Sequence, residues 1–267
     1  MPELPEVRTV ASVLRKNLIN KKITNIKIIY PKMIEKESLD FNNLIGKKLI
    51  SIDTKGKFLI FKFEDLYLVS HLRMEGKYFI KSLDDPIEKH EHIIFEFDNL
   101  SVRYHDTRKF GRMILVKDLK DYKSLEKVGL EPFDKKLTKE LLKDNLKSKL
   151  PIKELLLDQN IMAGLGNIYV NEVLFASKIN PLKKGEDISF EECQSIIDNS
   201  VKILNEAIKY GGTTIKSYTS SLGVTGHYQD YLMVHKKEGM PCKICGNTIL
   251  NIKVGGRSTY YCSNCQK

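Results

Sequence analysis

The chain has 267 residues, with 44 Lys and Arg against 34 Asp and Glu, giving a formal net charge of +10. That length allows one large domain or two ordinary ones, and a basic excess spread along the chain points to a polyanionic partner, nucleic acid above all. No apolar stretch reaches the roughly 18 residues of a membrane span and no signal-peptide pattern precedes the first helix, so the expectation is a cytoplasmic protein that enters no membrane.

The first residues, Met1-Pro2-Glu3-Leu4-Pro5-Glu6, open a helix. Pro5 suits a first helical turn, and Val7, Val10, Ala11, Leu14 and Leu18 then recur as an amphipathic stripe. Removal of Met1, expected before a small second residue, leaves Pro2 with a free secondary amine, which is a nucleophile. An α-amino group with a pKa of about 8 is about one-third unprotonated at about pH 7.5, where lysine is about one-thousandth unprotonated. Proline's greater basicity narrows that advantage, while the positive end of the helix dipole disfavours the protonated amine. Glu3 is the adjacent proton donor and acceptor. The same residues also fit an ordinary capped helix start, since the dipole favours Glu there.

Short alternating runs follow: Ile23 to Tyr30, Lys48 to Asp53, Phe58 to Phe63, Leu66 to His71, Lys77 to Lys81, Ile93 to Phe97, Ser101 to His105 and Arg112 to Val116. Their spacing, with breaks such as Lys55-Gly56 and Asp98-Asn99, predicts an antiparallel sandwich or barrel. Gly129-Leu130-Glu131-Pro132 interrupts this pattern and a helical period takes over. Helices are predicted over Lys139 to Leu146, Ile152 to Met162, Ile168 to Ala176 and Phe190 to Tyr210. Gly164-Leu165-Gly166-Asn167 joins the middle two as a helix–two-turn–helix candidate whose backbone amides and Asn167 side chain could hold a phosphate. A plain helical hairpin would use the same glycines.

Near the C-terminus, Cys242-x2-Cys245 and Cys262-x2-Cys265 are separated by sixteen residues, the spacing of a four-thiolate structural zinc site. Ile249 to Val254 and Thr259 to Tyr261 read as a hairpin turned by Gly255-Gly256, with Arg257 just past its tip. A redox pair or unpaired thiols are the competing readings, and Cys193 stands alone. The fold class is thus α+β multidomain: an N-terminal helix plus antiparallel β-sandwich (1–130), a helix–two-turn–helix domain (131–236) and a C-terminal β-hairpin zinc ribbon (237–267).

Taken together, Met1 to Val7, Gly56-Lys57-Phe58, His71-Leu72-Arg73-Met74-Glu75-Gly76, Asp106-Thr107-Arg108-Lys109-Phe110-Gly111, Gly164 to Tyr169 and the ribbon with Gly256-Arg257-Ser258-Thr259 resemble the bacterial formamidopyrimidine-DNA glycosylases from end to end. The resemblance implies a bifunctional enzyme acting on double-stranded DNA. It would excise oxidised purines such as 8-oxoguanine and formamidopyrimidines, then cut the abasic site by β- and δ-elimination. It would do so as a monomer with one structural zinc and no nucleotide cofactor. It further implies Pro2 as nucleophile, Glu3 as donor to the sugar ring oxygen, and Glu6 as an organiser. Lys57 would act in β-elimination, and Arg257 and Asn167 on phosphate. Met74, Arg108 and Phe110 match the residues that fill the gap left by the extruded nucleotide. His71, His90, Lys109 and Lys149 match DNA-contact positions, Lys153 a residue near the lesion pocket, and Ser217 to Tyr228 the base-recognition loop.

From residue type alone, Lys57 reads equally as a solvated turn lysine, and Met74 and Phe110 as core residues at strand ends. Two alternatives to the whole reading stand. One is an endonuclease VIII-like relative acting on oxidised pyrimidines, against which Leu4 between Glu3 and Pro5 argues. The other is a non-catalytic zinc-ribbon DNA-binding protein.

Overall fold

Helix α1 spans Leu4–Leu18 and buries Leu4, Val7, Val10, Ala11, Leu14 and Leu18, the stripe that the sequence periodicity predicts. Glu3 is its N-cap, in an extended backbone, and the Glu3 amide donates to Glu6 Oε2 at 2.8 Å as half of a capping box. The computed structural model describes residues 1–213 and 226–267.

Eight strands follow: β1 Ile23–Ile28, β2 Leu49–Lys55, β3 Phe58–Phe63, β4 Tyr67–His71, β5 Lys77–Lys81, β6 Glu91–Phe97, β7 Leu100–His105 and β8 Arg112–Val116. They form two four-stranded antiparallel sheets, ordered β1-β6-β7-β5 and β2-β3-β4-β8. One core joins both: Ile52, Leu59, Phe61, Phe63 and Leu68 from the second sheet pack with Tyr78, Ile93, Phe95, Phe97 and Val102 from the first, and with the α1 stripe. A short helix, α2 (Lys123–Glu126), closes this part, and Lys55 Nζ donates to Leu125 O at 3.0 Å.

Helices α3 (Lys139–Asn145), α4 (Ile152–Leu155), α5 (Asn167–Ala176) and α6 (Phe190–Lys209) share a second core that includes Leu142, Ile152, Met162, Tyr169, Val173, Ile196 and Leu204. Thr138 caps α3, and a Ser189–Glu192 capping box starts α6. The helix expected over Ile152 to Met162 lasts only one turn, to Leu155, because polar side chains take over the backbone bonding. Asp158 Oδ1 accepts the Asn160 amide at 2.9 Å, and the Gln159 side chain donates to Leu157 O and Leu165 O and accepts from Gly164 N. Such local side-chain bonds compete with helix. Strands β9 (Leu250–Val254) and β10 (Arg257–Tyr261) form the C-terminal hairpin. Positive φ at Gly255 (54°) and Gly256 (71°) matches the two-residue turn that right-twisted strands favour. Arg257, just past the tip as expected, is the first residue of β10 and pairs with Val254, so this strand starts two residues earlier than the predicted Thr259.

The chain divides into two units, Met1–Lys127 with Gly211–Gly226, and Val128–Tyr210 with His227–Lys267. The ribbon falls within the second unit, and the excursion from Gly211 falls with the sandwich. Neither grouping can be read from local periodicity, which carries no information about where a segment returns. Residues 217–225 of the predicted base-recognition loop lie outside the described residues.

Arg103 is the largest fully buried side chain of the sandwich. It pairs with Glu91 at 3.1 Å and donates to Ser101 Oγ and to the carbonyls of Ser82, Asp85 and Pro86, closing the β5–β6 connection. Burial pushes the Glu91 carboxyl up, but Lys81 at 2.8 Å, the Glu88 amide and Arg103 outweigh it and hold its pKa below the usual value. A depressed carboxylate contributes stability above its unfolded pKa and loses it as pH falls through the folded one. Arg103→Met is therefore expected to cost about 3 kcal/mol at neutral pH. The gap between variant and wild type in urea titrations of the sandwich should narrow as pH falls below the carboxylate range.

Candidate active site

Within the first unit the residues next to the chain end are buried. Pro2, Glu3 (2% exposed) and Glu6 (5%) are enclosed, while Met1 is exposed. Burial lowers the pKa of the terminal amine, which sits on Met1; Glu3 and Glu6 pull it back, and Lys57 pushes with burial. Glu6 ties this end to a distant segment: Oε2 takes the Glu3 amide, and Oε1 takes the Thr213 amide at 2.7 Å and the Thr213 hydroxyl at 3.1 Å. Gly212 (φ 79°) permits that approach, since a Cβ there would stand 2.9 Å from Glu6 Cγ. Lys57, in the turn between β2 and β3, is only 5% exposed, so it is not a solvated turn lysine.

His71 ends β4. Its ring lies edge-on to Phe58 at 4.6 Å, and its Nδ1 accepts the Arg73 amide at 2.9 Å. Burial first, then Arg73 and Lys57, push its pKa down to about 3. The imidazole is therefore neutral, with Nδ1 occupied as an acceptor and Nε2 left as a donor. Three residues here have left-handed backbone: Arg73 (φ 53°), His90 (φ 73°) and Lys109 (φ 58°). Arg73 and Lys109 flank Met74 and Phe110. Met74 is half-buried, whereas Phe110 is 48% exposed with the Arg108 guanidinium 4.8 Å from its ring centroid. Phe110 is thus not a core residue. Lys109 Nζ lies 4.6 Å from the Tyr30 ring centroid, and the half-buried His90 packs edge-on to His92 and His105.

In the second unit Asn167 is the first residue of α5, and its Nδ2 donates to Ser258 O of β10 at 3.0 Å while its buried Oδ1 has no partner. Lys149 is exposed just before α4, and Arg257 is exposed at the hairpin tip. Lys153 is fully buried, with Nζ 2.5 Å from Asn171 Oδ1 and 3.4 Å from Asn167 O, so it braces the start of α5. Asn171 also donates to His235 Nδ1 at 2.8 Å. The neighbouring Glu172 accepts the amides of Met233, Val234 and His235 at 2.7, 3.1 and 2.8 Å, and burial raises its pKa against their pull. Sequence reasoning missed Asn171, Glu172 and His235. The one available signal was Asn-Glu inside the apolar run Ile168 to Phe175, since an unpartnered charge does not survive there.

The Sγ atoms of Cys242, Cys245, Cys262 and Cys265 all lie within 4.8 Å of one another, with pairs at 3.9 and 3.4 Å. Zn–S bonds of about 2.3 Å in a tetrahedron put sulfurs about 3.8 Å apart. The four thiolates fit one structural zinc ion. Among the described residues no helix is long and apolar enough to cross a membrane.

The sandwich with its N-terminal helix, the helix–two-turn–helix unit and the four-cysteine hairpin define a class, the helix–two-turn–helix DNA glycosylases. Residues 1–113 match the family model described as the formamidopyrimidine-DNA glycosylase N-terminal domain, 128–219 the formamidopyrimidine-DNA glycosylase H2TH domain, and 239–267 a zinc finger found in FPG and IleRS. The formamidopyrimidine-DNA glycosylase of Ligilactobacillus salivarius is 46% identical, and that of Streptococcus pneumoniae 44%, each over 272 residues covering 100% of this chain and 99% of the relative. A Lactococcus lactis variant in complex with Fapy-dG-containing DNA superposes with a TM-score of 0.93 at 41% identity, and the protein from that organism with abasic-site DNA at 0.91 and 40%, covering 100% of both chains in each case. The chain belongs to the formamidopyrimidine-DNA glycosylase family.

A structural zinc site contributes apparent binding free energy of about 10 to 16 kcal/mol. Cys245→Ser protein is expected to lose stoichiometric zinc by metal analysis, with amide exchange accelerating through 239–267 while the sandwich strands keep their protection.

Proposed function

We propose that this chain is a bifunctional DNA glycosylase and abasic-site lyase that removes 8-oxoguanine and formamidopyrimidines from double-stranded DNA, acting as a cytoplasmic monomer. The observation that carries this reading is the burial of Pro2 beside Glu3 and Glu6, where desolvation already lowers the pKa of the terminal amine on Met1. An amine on Pro2 is then in a desolvated place, next to a proton donor. Once Met1 is removed, the Pro2 nitrogen attacks sugar C1′, the bond to the damaged base breaks, and the base leaves with the proton that the Pro2 amine sheds. Glu3 protonates the ring oxygen, which opens the sugar and leaves an iminium on Pro2. The iminium acidifies the 2′ hydrogens, so successive β- and δ-elimination expel the two phosphates, and water then releases the enzyme. One nucleophile serves both activities.

Lys57 and Arg257 act on the elimination steps, and Asn167 and Lys149 hold phosphate. An amide binds phosphate through its NH2 group, which carries two hydrogens, so Asn167 Nδ2 can hold phosphate with one while the other stays on Ser258 O. Lys153, through Asn171 and the Asn167 carbonyl, supports that position instead of touching the base. Neutral His71 donates to the backbone without adding charge, and His90 and Lys109 add contacts. Met74, Arg108 and Phe110 fill the gap in the stack, which extrusion of a base opens at a cost of a few kcal/mol. We assign catalysis to 1–130, DNA grip to 131–236 and phosphate contact to 237–267.

Borohydride treatment with an 8-oxoguanine duplex is expected to trap a covalent adduct on Pro2. A fusion that makes Pro2 internal should bind the lesion yet form no adduct and cut nothing, because an amide nitrogen cannot attack C1′. Strand cutting by such a fusion would refute the mechanism. Arg257→Ala, if Arg257 neutralises one phosphate, should reduce the slope of log affinity against log salt by about 0.9. An unchanged slope across a salt series would remove Arg257 from the interface.

A further inference from the structure

Two turns in the first unit carry the gap-filling residues. Leu72 to Gly76, closed by the Gly76 amide on Leu72 O at 2.9 Å, carries Met74. Asp106 to Gly111 carries Arg108 and Phe110, and buried Asp106 shapes it: Oδ1 accepts the Arg108 amide at 2.9 Å and Oδ2 the Gly111 amide at 2.8 Å. Tyr104, fully buried near the end of β7, stands between them. A Cβ added at Gly76 would collide with the Tyr104 hydroxyl, and so would one added at Gly111. Both glycines therefore press their backbone onto the same oxygen from different turns. A second tie runs outside the core, where the Thr107 hydroxyl donates to Glu75 Oε2.

We infer that Tyr104 is a positioning residue: its hydroxyl is the spacer that sets the separation of the two turns, so that Met74, Arg108 and Phe110 enter the stack as one body. The inference rests on the proposed gap-filling role of those three residues. Wedges on independent turns would have to be ordered separately as the base leaves, whereas a shared post presents them already in register. Left-handed backbone at Arg73 and Lys109 beside the wedges is consistent with turns whose shape is imposed from below.

The test compares Tyr104→Phe and Thr107→Val with wild type in single-turnover excision of 8-oxoguanine from a fully paired duplex and in cutting of an abasic site in single-stranded DNA, where nothing has to be unstacked. Tyr104→Phe is expected to slow paired-duplex excision about tenfold, within the loss that misplacement of about 1 Å causes. Thr107→Val, at an exposed site, should do the same to a smaller extent. Single-strand cutting should be unchanged in both. Fluorescence of a 2-aminopurine placed beside the lesion should report slower unstacking in the same variants. Unchanged paired-duplex excision in both variants overturns the inference, and so does an equal fall in both assays, which marks a purely structural role. Borohydride trapping by wild type is the control. Its failure overturns the functional reading and this inference together, whereas a wild-type adduct with unaffected variants overturns the positioning role alone.

Discussion

The proposed site depends on one constraint: residues next to a chain terminus, the most mobile part of most proteins, have to be buried and held in place. Glu6 meets it with a single carboxylate. One oxygen satisfies the N-cap amide, which the helix itself cannot. The other reaches Thr213, more than two hundred residues away in sequence. The helix that begins there drives its apolar stripe into the sandwich core. Burial then acts chemically, because desolvation opposes the charged form of an amine and lowers the pKa of the one at this chain end.

The anchoring by Glu6 has an electrostatic side. Two carboxylates this close to an amine favour its protonated form, opposite to the effect of burial and of Lys57. Glu6 has both oxygens committed to N–H donors from Glu3 and Thr213, with the Thr213 hydroxyl added, and donors of that kind disperse the negative charge locally. The balance falls on the side of burial.

Much of the fold was legible because it rests on local pattern. Strand alternation located all eight sandwich strands to within two residues at their ends, and cysteine spacing alone identified the metal site. What was not legible depends on long-range contacts or on side chains that replace backbone bonds. The helix expected through Met162 stops at Leu155 because Asp158 and Gln159 supply competing bonds, and apolar periodicity is blind to that competition. Lys57 and Lys153 illustrate a second limit. Residue type assigns lysine to the surface, yet both are buried, and only the fold reveals it. Phe110 errs the other way, an aromatic residue that composition would place inside and the structure leaves half in water.

The ribbon shows how a polar core can orient a small element that carries little apolar surface of its own. Only Phe175, Val234, Ile249 and the cysteines Cys242 and Cys262 form its buried cluster. Around them Glu172 holds the entering turn by three amides, Asn171 bridges Lys153 and His235, and the His235 ring meets Tyr260 of β10 edge-on at 5.1 Å. Asn167 bonds the far side of the hairpin at Ser258. Apolar contacts alone are non-directional, so they would tolerate rotation of the hairpin. The directional bond from Asn167 of α5 to Ser258 O in β10, with the bonds from α5 to the segment that leads into the ribbon, does not. Arg257 is therefore located by the same ten-residue helix that opens with Asn167, which couples the two groups proposed to hold phosphate through a single rigid element.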